Sequence, residues 1–440
     1  MNADAAVRVE PAEPPVADRQ PFLPRDLLAD AGRVGDGLAD DVGRQAAAVT
    51  VHAAALEQHA RRIGLGSSLA DVARLHPALD GLADVDTSRP EVRGLWERRR
   101  AVPDDTAVLW WSYPLGDLYQ ALSVESRKNR ALCQTPWWVA DLLLRVSYDR
   151  AVEDWAAPRI IDPSCGTGHL LLESWTRIVG SGPGGAENLF AAADRVHGVD
   201  LDPYAVLVAR YRMVALAWAR LRHRHDLGVL RDLPLHVHAA DSLLDEHPLL
   251  APARYEVVLA NPPYITPKDP AANAAIRARY PEVCSGKYSL ALPFHSLMMR
   301  LLVDGGWCAQ LTANSFMKRE FGRKYVQDWL PRFDARWIID CSGAYIPGHG
   351  TPTVILVHRN RPPVGDTVRV VQGVRGEPAT PAVPARGLVW TAIRDAVHAA
   401  ESADRFARRA PTHREMITRP GSRGHRMCSE DSVATPSGRQ

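Results

Sequence analysis

The stretch "IIDPSCGTGHLL", from Ile160 to Leu171, decides the fold. Its first residues are β-branched and favour a strand, whereas its last residues are apolar and favour a helix. Between them stand Gly166 and Gly168, which allow a tight turn and a close approach of the backbone to a ligand. The stretch therefore predicts a strand, a glycine-rich turn and a helix, as in a nucleotide-cofactor site. Its spacing is not GxGxxG, so a purely structural turn is the competing interpretation.

Outward from this turn, short apolar runs alternate with amphipathic segments. Alternation of this kind indicates an α/β fold with an open, largely parallel, doubly wound sheet of Rossmann-like type. The predicted strands cover residues 159–164, 195–202, 235–241, 255–264, 305–313, 336–344 and 351–359. Helices are predicted over residues 168–180, 203–224, 290–302 and 323–333.

Composition changes along the chain predict five regions. Residues 1–20 are rich in Ala, Pro and charge and are predicted to be a disordered tail. Residues 21–130 have Ala-rich helical spacing, and we expect a helical N-terminal region there, followed by a catalytic domain over residues 131–365. The Pro- and Ala-rich segment 366–404 is predicted to be a linker and the start of a truncated C-terminal region. Residues 405–440 lack an apolar period and are predicted to be a disordered tail.

The bulk composition excludes several classes of protein. The 440 residues carry a net charge of +2, which gives no global signature of nucleic-acid binding but leaves room for a local basic face. The six cysteines form no CxxC pair, so the sequence predicts no metal site and fits reduced thiols in the cytoplasm. No apolar run of about 18 residues and no charged-then-apolar leader is visible, so we expect no membrane partner.

Two aspartates follow later predicted strands. Asp200 ends the strand after the glycine-rich turn, where a carboxylate can accept from both hydroxyls of a ribose. Asp241 ends the next strand and could accept from an adenine amino group. An aspartate at a strand end is also a common helix or turn cap, so capping is the alternative for both. Asp202, just before Pro203, is predicted to be the N-cap of the following helix.

The stretch "VVLANPPYIT" supplies the reacting end of the predicted site. A strand leads into Asn261, and Pro262 and Pro263 then force the chain out of the sheet because proline donates no ladder hydrogen bond. The amide oxygen and a backbone carbonyl fixed by the prolines could hold both hydrogens of an exocyclic amino group and free its lone pair. Tyr264 offers a flat surface on which an extruded base can stack. A structural turn without catalytic duty is the competing interpretation.

Together these motifs resemble the amino-methylating methyltransferases that use S-adenosylmethionine. In that family NPPY marks the catalytic loop, and a D-P-x-x-G-x-G turn marks the cofactor site. The segment Gln134-Thr135-Pro136 resembles the Thr-Pro cofactor segment of N6-adenine DNA methyltransferases, and the motif order resembles their gamma arrangement. The blocks "GKYSLALPFHSLMMRLL", "ANSFMKREFGRKY" and "SGAYIPGHGTPTVIL" extend the match to phage-resistance adenine methyltransferases of the BREX type.

The resemblance implies a role for each matched residue. Thr135 and Asp162 would face the methionine end of S-adenosylmethionine, Pro136 would bind the cofactor as part of the Thr-Pro segment, and Gly166 and Gly168 would line its path. Asp200 would hold the ribose, and Asp241 would meet the adenine of the cofactor. The target adenine would be held by Asn261, Pro262, Pro263 and Tyr264. Phe321 is the predicted aromatic on the other face of the base, with ordinary core packing as its alternative.

The implied activity is site-specific methylation of adenine N6 in double-stranded DNA, in phage defence or restriction-modification and alongside other phage-defence proteins. Methylation of a protein glutamine or an RNA base is the second hypothesis, because NPPY-type loops also occur there. A truncated, non-catalytic, cofactor-binding fragment is the third. Relatives of this type continue further after the catalytic region, whereas this sequence ends about 80 residues beyond "GTPTVIL". We therefore expect the chain alone to methylate DNA weakly and with little sequence preference.

Overall fold

The computed structural model describes residues 25–98, 108–125, 133–180, 185–222, 224–348, 350–372 and 376–402. The tails predicted to be disordered over residues 1–20 and 405–440 lie outside these ranges. Within them the chain forms an α/β sheet domain preceded by a helical region, so the predicted fold class is confirmed.

The helical N-terminal region packs around a long Ala-rich helix. Small side chains on this helix let its neighbours approach closely, and Gly64, in the left-handed conformation with φ 74°, ends it. The described helices of this region are α1 (Arg25–Val42), α2 (Arg44–Ile63), α3 (Leu69–Ala73), α4 (Pro90–Arg98) and α5 (Val108–Leu122).

Eight further helices accompany the sheet in the described residues. Asp202 caps α10 as predicted, because its carboxylate accepts from the backbone N–H of Tyr204 at 3.0 Å and of Ala205 at 3.3 Å. None of the described helices is long and apolar enough to span a bilayer. The helices are α6 (Trp137–Val146), α7 (Tyr148–Asp154), α8 (His169–Val179), α9 (Ala186–Ala193), α10 (Pro203–Leu221), α11 (Pro270–Arg279), α12 (Ala291–Leu301) and α13 (Leu388–Ser402).

The sheet has eight strands in the order β3-β2-β1-β4-β5-β7-β6-β8. Strands β1 to β5 are parallel, and β7 lies antiparallel between β5 and β6. The carboxyl ends of β1, β2 and β4 therefore meet at one edge. The strands are β1 (Ile160–Asp162), β2 (Val196–Asp200), β3 (His236–Ala239), β4 (Tyr255–Ala260), β5 (Leu302–Ala313), β6 (Asp334–Asp340), β7 (Thr353–Arg359) and β8 (Arg369–Gln372).

Both faces of the sheet are covered by helices, which explains why the last four residues of β4, 257–260, are an unbroken apolar run. Val257 and Leu259 pack on one face with α6, α7 and α13, whereas Val258 and Ala260 pack on the other with α11 and α12. Successive strand residues point to opposite faces, so a strand buried on both sides needs apolar residues at every position.

Two segments differ from the sequence-based prediction. Residues 366–404, predicted to be a linker and the start of a truncated C-terminal region, contain β8 and α13, and Trp390 of α13 is only 2% exposed against the core. The helix predicted over residues 323–333 is instead a π-helical turn, Tyr325–Trp329, followed by the 3₁₀ turn Leu330–Arg332. Pro331 cannot donate a helical hydrogen bond, which accounts for the irregular turns.

Candidate active site

A cleft with an empty volume of about 500 Å³ opens at the edge where β1, β2 and β4 end. In open parallel sheets, ligands bind outside the carboxyl ends of the strands. The structure brings six of the sequence-predicted residues into the lining of this cleft: Thr135, Asp162, Gly166, Asp200, Asn261 and Pro263. These residues are distant in sequence and come together only through the strand order.

The glycine-rich turn after β1 is held open by the aspartate after β2. Gly166 and Gly168 adopt φ values of 52° and 88°, which other residues rarely take, and so the turn depends on glycine. The Asp200 carboxylate accepts from the Gly166 N–H at 2.8 Å and from the Asp202 N–H at 2.8 Å. Asp200 therefore supports the turn and also lines the cleft.

Asp162 lies at the base of the cleft and is 2% exposed. It accepts from the backbone N–H of Ser164 at 2.9 Å. Burial, together with the nearby negative charge of Asp200, raises the pKa of Asp162 to about 8. At neutral pH the Asp162 carboxyl group is therefore mostly protonated, and a positively charged group placed beside it would favour ionisation.

The segment before α6 holds the amide of the catalytic loop. Asn261 donates from Nδ2 to the backbone carbonyl of Cys133 and to Thr135 Oγ1, both at 3.2 Å. A carbonyl oxygen can only accept, so Nδ2 must lie on this side and Oδ1 on the other. Thr135 therefore orients the acceptor of Asn261, in addition to lining the cleft.

The hydroxyl of Tyr264 donates to Asn261 Oδ1 at 2.5 Å. Burial raises the pKa of this hydroxyl well above its usual range, so it remains a donor at working pH. Asn261 Oδ1, the predicted acceptor for an amino group, is thus able to accept a hydrogen bond. In this structure it accepts from the Tyr264 hydroxyl of the same loop.

Tyr264 and five other predicted residues do not line the cleft. Asp241 caps a turn, accepting from the N–H of Leu243 at 2.9 Å and of Leu244 at 3.1 Å, as its alternative interpretation anticipated. Phe321 is half-buried against the cluster of apolar side chains under α11 and α12. The other three lie next to the cleft-lining segments: Pro136 precedes the first turn of α6, Gly168 precedes α8, and Pro262 is buried in the loop after β4.

A buried cation beneath the glycine-rich turn escaped the sequence-based prediction. Arg212, in the middle of α10 and fully buried, donates from Nη1 to the Thr167 carbonyl at 2.6 Å and to His169 Nδ1 at 3.1 Å. Burial and the Arg212 charge hold the pKa of His169 well below its usual range, so its ring is neutral. An arginine within the apolar run "VARYRMVALAWA" was the available signal.

The chemistry of the cleft fits S-adenosylmethionine and offers no metal centre. Carboxylates at two adjacent strand ends can accept from ribose hydroxyls and neutralise a positive charge, and the glycine turn admits a close ligand. Among the described residues, no group of His, Cys, Asp and Glu is arranged to hold a metal ion.

Comparison with known proteins shows which family and which relative this chain is similar to. Residues 194–346 match the family described as "Eco57I restriction-modification methylase". Over 335 residues the chain is 40% identical to the adenine-specific methyltransferase PglX of Streptomyces coelicolor, covering 64% of this chain and 28% of that protein. The chain thus spans 28% of the length of this curated relative. The resemblance inferred from the motifs is confirmed, because residues 194–346 are similar to the Eco57I methylase family.

Solved structures show the same fold at low sequence identity. The type I restriction-modification methyltransferase subunit from Streptococcus thermophilus has a TM-score of 0.52 and 17% identity, covering 80% of this chain and 74% of that chain. A DrdV–DNA complex has a TM-score of 0.53 and 14% identity, covering 79% of this chain and 41% of that chain. The predicted α/β fold with its Rossmann-like sheet is therefore confirmed.

Proposed function

We propose that this chain transfers a methyl group from S-adenosylmethionine to adenine N6 in DNA. The observation that carries the proposal is the fixed amide of Asn261. Both hydrogen bonds from its Nδ2 lie on one side, to Cys133 and Thr135, so its Oδ1 is presented as an acceptor. Adenine N6 carries two hydrogens and needs acceptors, whereas an oxygen nucleophile would need a base.

The geometry of the loop suits an amino group that is a poor nucleophile. The N6 lone pair is delocalised into the ring, and acceptors on both N–H bonds favour the pyramidal form in which it becomes available. Asn261 would supply one acceptor, and a loop carbonyl fixed by Pro262 and Pro263 the other. The amino group would replace the Tyr264 hydroxyl at Oδ1, which leaves the Tyr264 ring to stack on the base.

The cofactor supplies a methyl group on a sulfonium centre, which is already a good leaving group. The C–S bond breaks as the bond from N6 to the methyl carbon forms, the cofactor leaves as a neutral thioether, and the cationic amino group then releases one proton to solvent, so the chain has to hold and orient the reactants. Asp200 would accept from the ribose, Gly166 and Gly168 would line the path of the cofactor, and Thr135 and Asp162 would face its methionine end. Asp241 would accept from the amino group of the cofactor's adenine, although its Oδ1 also caps a turn in this structure.

The second face of the base needs an aromatic residue at the rim of the site. Phe321 was the sequence-based choice, and its half-buried ring would have to turn outward. Tyr345 is the alternative, because it is 40% exposed and lies three residues before Gly348. The Gly348 carbonyl accepts from the Cys133 thiol at 3.6 Å, and the Cys133 carbonyl accepts from Asn261.

Double-stranded DNA is the proposed substrate, and the distribution of lysines supports it. The chain has only five lysines, and four lie in the two segments that follow the catalytic edge of β4 and β5. These segments, 264–290 and 314–332, contain nine basic and four acidic residues. The exposed cations could contact phosphates beside an extruded adenine. They are Lys268, Arg279, Lys287, Lys318, Arg319, Arg323 and Lys324.

The names of relatives agree with this substrate, since PglX is described as adenine-specific and the DrdV structure is a DNA complex. We propose by the same resemblance that the chain acts in the cytoplasm together with other phage-defence proteins. Because the chain spans 28% of PglX, we also propose that further sequence or a partner strengthens DNA recognition.

Methyl transfer to defined substrates tests the proposal. The full chain is incubated with labelled S-adenosylmethionine and duplex DNA, single-stranded RNA or a glutamine-containing release factor, and the products are identified by mass spectrometry. We expect N6-methyladenine in DNA, weak in amount and absent with Asn261→Ala. Label in RNA or protein instead would overturn the DNA assignment. No transfer to any substrate despite cofactor binding would favour the non-catalytic fragment.

A further inference from the structure

Helix α5 belongs to the N-terminal region but contacts three segments that line the cleft. Those segments are the Thr-Pro segment before α6, the glycine-rich turn after β1, and the loop after β2. The sequence motifs place the cofactor site wholly within residues 131–365. The contacts of α5 suggest that a helix outside this range is also part of the site.

The closest approach is at Gly116. A Cβ atom built on Gly116 would lie 2.4 Å from His169 Cε1 and 2.5 Å from Thr167 Oγ1. Nonbonded atoms do not approach this closely, so any side chain at this position would displace the buried side chains of His169 and Thr167 or α5 itself. Glycine is therefore required at this position because α5 lies so close to Thr167 and His169, and not because of its backbone conformation.

A chain of hydrogen bonds then links α5 to the turn amide. Tyr119, fully buried, donates from its hydroxyl to Asp202 Oδ2 at 2.8 Å. The Asp202 N–H donates to Asp200 Oδ1, and Asp200 Oδ2 accepts from the Gly166 N–H, each at 2.8 Å. Three hydrogen bonds thus connect the Tyr119 hydroxyl to the backbone N–H of Gly166, in the turn that approaches the ligand.

The same helix holds the Thr-Pro segment. Gln120 accepts through Oε1 from the Gln134 N–H at 2.7 Å, and the Gly116 carbonyl accepts from Gln134 Nε2 at 3.4 Å. Gln134 directly precedes Thr135, which orients Asn261. Helix α5 therefore reaches the catalytic loop as well, through one intervening segment.

Helix α5 is in turn anchored to α2. His52 Nε2 lies 2.7 Å from the Leu115 carbonyl, which only accepts, so this nitrogen carries the proton. Gln45 Nε2 donates to the Tyr119 hydroxyl at 3.0 Å, and Ser123 donates to Gln45 Oε1 at 2.7 Å. The N-terminal helices therefore fix the position of α5 independently of the sheet.

We propose that α5 is a positioning element of the cofactor site, acting through Gly116, Tyr119 and Gln120. It sets the spacing of the three lining segments, so that the N-terminal helices determine cofactor affinity although they do not line the cleft. The identity of the cofactor rests on the proposed function, but the positioning of the turn does not.

Hydrogen exchange of the ligand-free full chain tests the positioning directly. Tyr119→Phe removes only the hydroxyl, and we expect amide exchange in the peptide covering residues 163–170 to accelerate about tenfold. Tyr211→Phe is the matched control. The buried Tyr211 hydroxyl joins α10 to α2 by donating to the Leu56 carbonyl at 3.1 Å, but it contacts none of the three segments that line the cleft. Equal exchange of residues 163–170 in both variants would overturn the proposal.

Cofactor affinity provides the second readout, measured by titration calorimetry. We expect Gly116→Ala to weaken the S-adenosylmethionine Kd at least tenfold. Gly35→Ala in α1 is the control, because a Cβ there would meet nothing within 4 Å, and its Kd should match the native value. If Gly116→Ala fails to fold, Tyr119→Phe replaces it with an expected three- to fivefold loss.

The two proposals can fail separately. A native chain that binds no S-adenosylmethionine would contradict the proposed function, while accelerated exchange in Tyr119→Phe would still support the positioning role. A native chain that binds, with Tyr119→Phe and Gly116→Ala binding equally well, would contradict the positioning role alone.

Discussion

Two loops at the same edge of the sheet are built by opposite means. The glycine-rich turn after β1 takes its shape from positive φ angles and is surrounded by ionisable side chains: Asp162, Asp200 and Arg212. The loop after β4 takes its shape from two prolines and is held by neutral hydrogen bonds of Asn261. In the first loop the backbone faces the ligand, whereas in the second a side chain does.

This difference predicts different sensitivities. A turn set among carboxylates and a guanidinium should respond to pH and to loss of charge, and the response should appear in cofactor binding. A loop made rigid by proline and an amide should respond little to pH, and changes there should appear in the rate of transfer. Variants of each loop can test whether binding and chemistry separate in this way.

The largest effect is expected from Asn261→Ala. It removes the amide oxygen that would accept from adenine N6, and we expect kcat to fall at least 1,000-fold, beyond the loss of about 100- to 1,000-fold typical of one transition-state donor. The Kd for S-adenosylmethionine should stay within threefold, measured by calorimetry. Asn273→Ala on α11 is the control and should retain full activity. Lost cofactor binding with intact chemistry at saturation would reverse the roles of the two loops.

Asp200→Ala should act on binding first. It removes the ribose acceptor and also frees the Gly166 and Asp202 amides. Hydrogen bonds to a charged group contribute about 1.5–3 kcal/mol, so we expect Kd to weaken about ten- to 150-fold. The exposed Asp226, which caps a turn by accepting from the Gly228 N–H at 2.9 Å, gives the control variant Asp226→Ala. An unchanged Kd would leave Asp200 a purely structural cap.

The sequence predicted the elements that follow local rules. Seven strands follow from short β-branched or apolar runs, and the two loops follow from glycine and proline, whose backbone limits are intrinsic. What it could not predict depends on chain segments meeting in space. Gly116 is an ordinary helical glycine until His169 packs against it, and Asp241 is indistinguishable from Asp200 until the fold brings Asp200 alone into the lining of the cleft.

The pH dependence of cofactor binding tests the charged character of the turn. Asp162, with its pKa raised to about 8, is protonated at pH 7, and the positive methionine end of the cofactor would favour its ionised form. Binding should therefore release a proton, and Kd should fall about tenfold as pH rises from 6 towards 8, then level off. Calorimetry in buffers of different ionisation enthalpy counts the protons released.

Asp162→Asn is the matched variant for this measurement. It cannot titrate, so its Kd should not vary over the same pH window. In the ligand-free chain the raised pKa of Asp162 costs stability as pH rises from about 4 to 8, so the variant should melt higher at pH 8. A native Kd that is equally flat would mean that Asp162 does not face the charged end of the cofactor.

The smallest effect is expected from Tyr264→Phe, in the loop held by neutral bonds. The hydroxyl donates to Asn261 Oδ1 only while no base is present, and the adenine amino group would take its place. Removing one neutral hydrogen bond that is absent from the reacting complex should change kcat by less than about threefold, with KM for DNA unchanged or slightly lower. Tyr264→Ala, which removes the stacking surface as well, should raise KM at least tenfold. Equal losses of activity in Tyr264→Phe and Tyr264→Ala would show that the hydroxyl contributes to the reaction. The catalytic loop would then depend on the Tyr264 hydroxyl as a donor, although the present geometry assigns that hydrogen bond only to the substrate-free form.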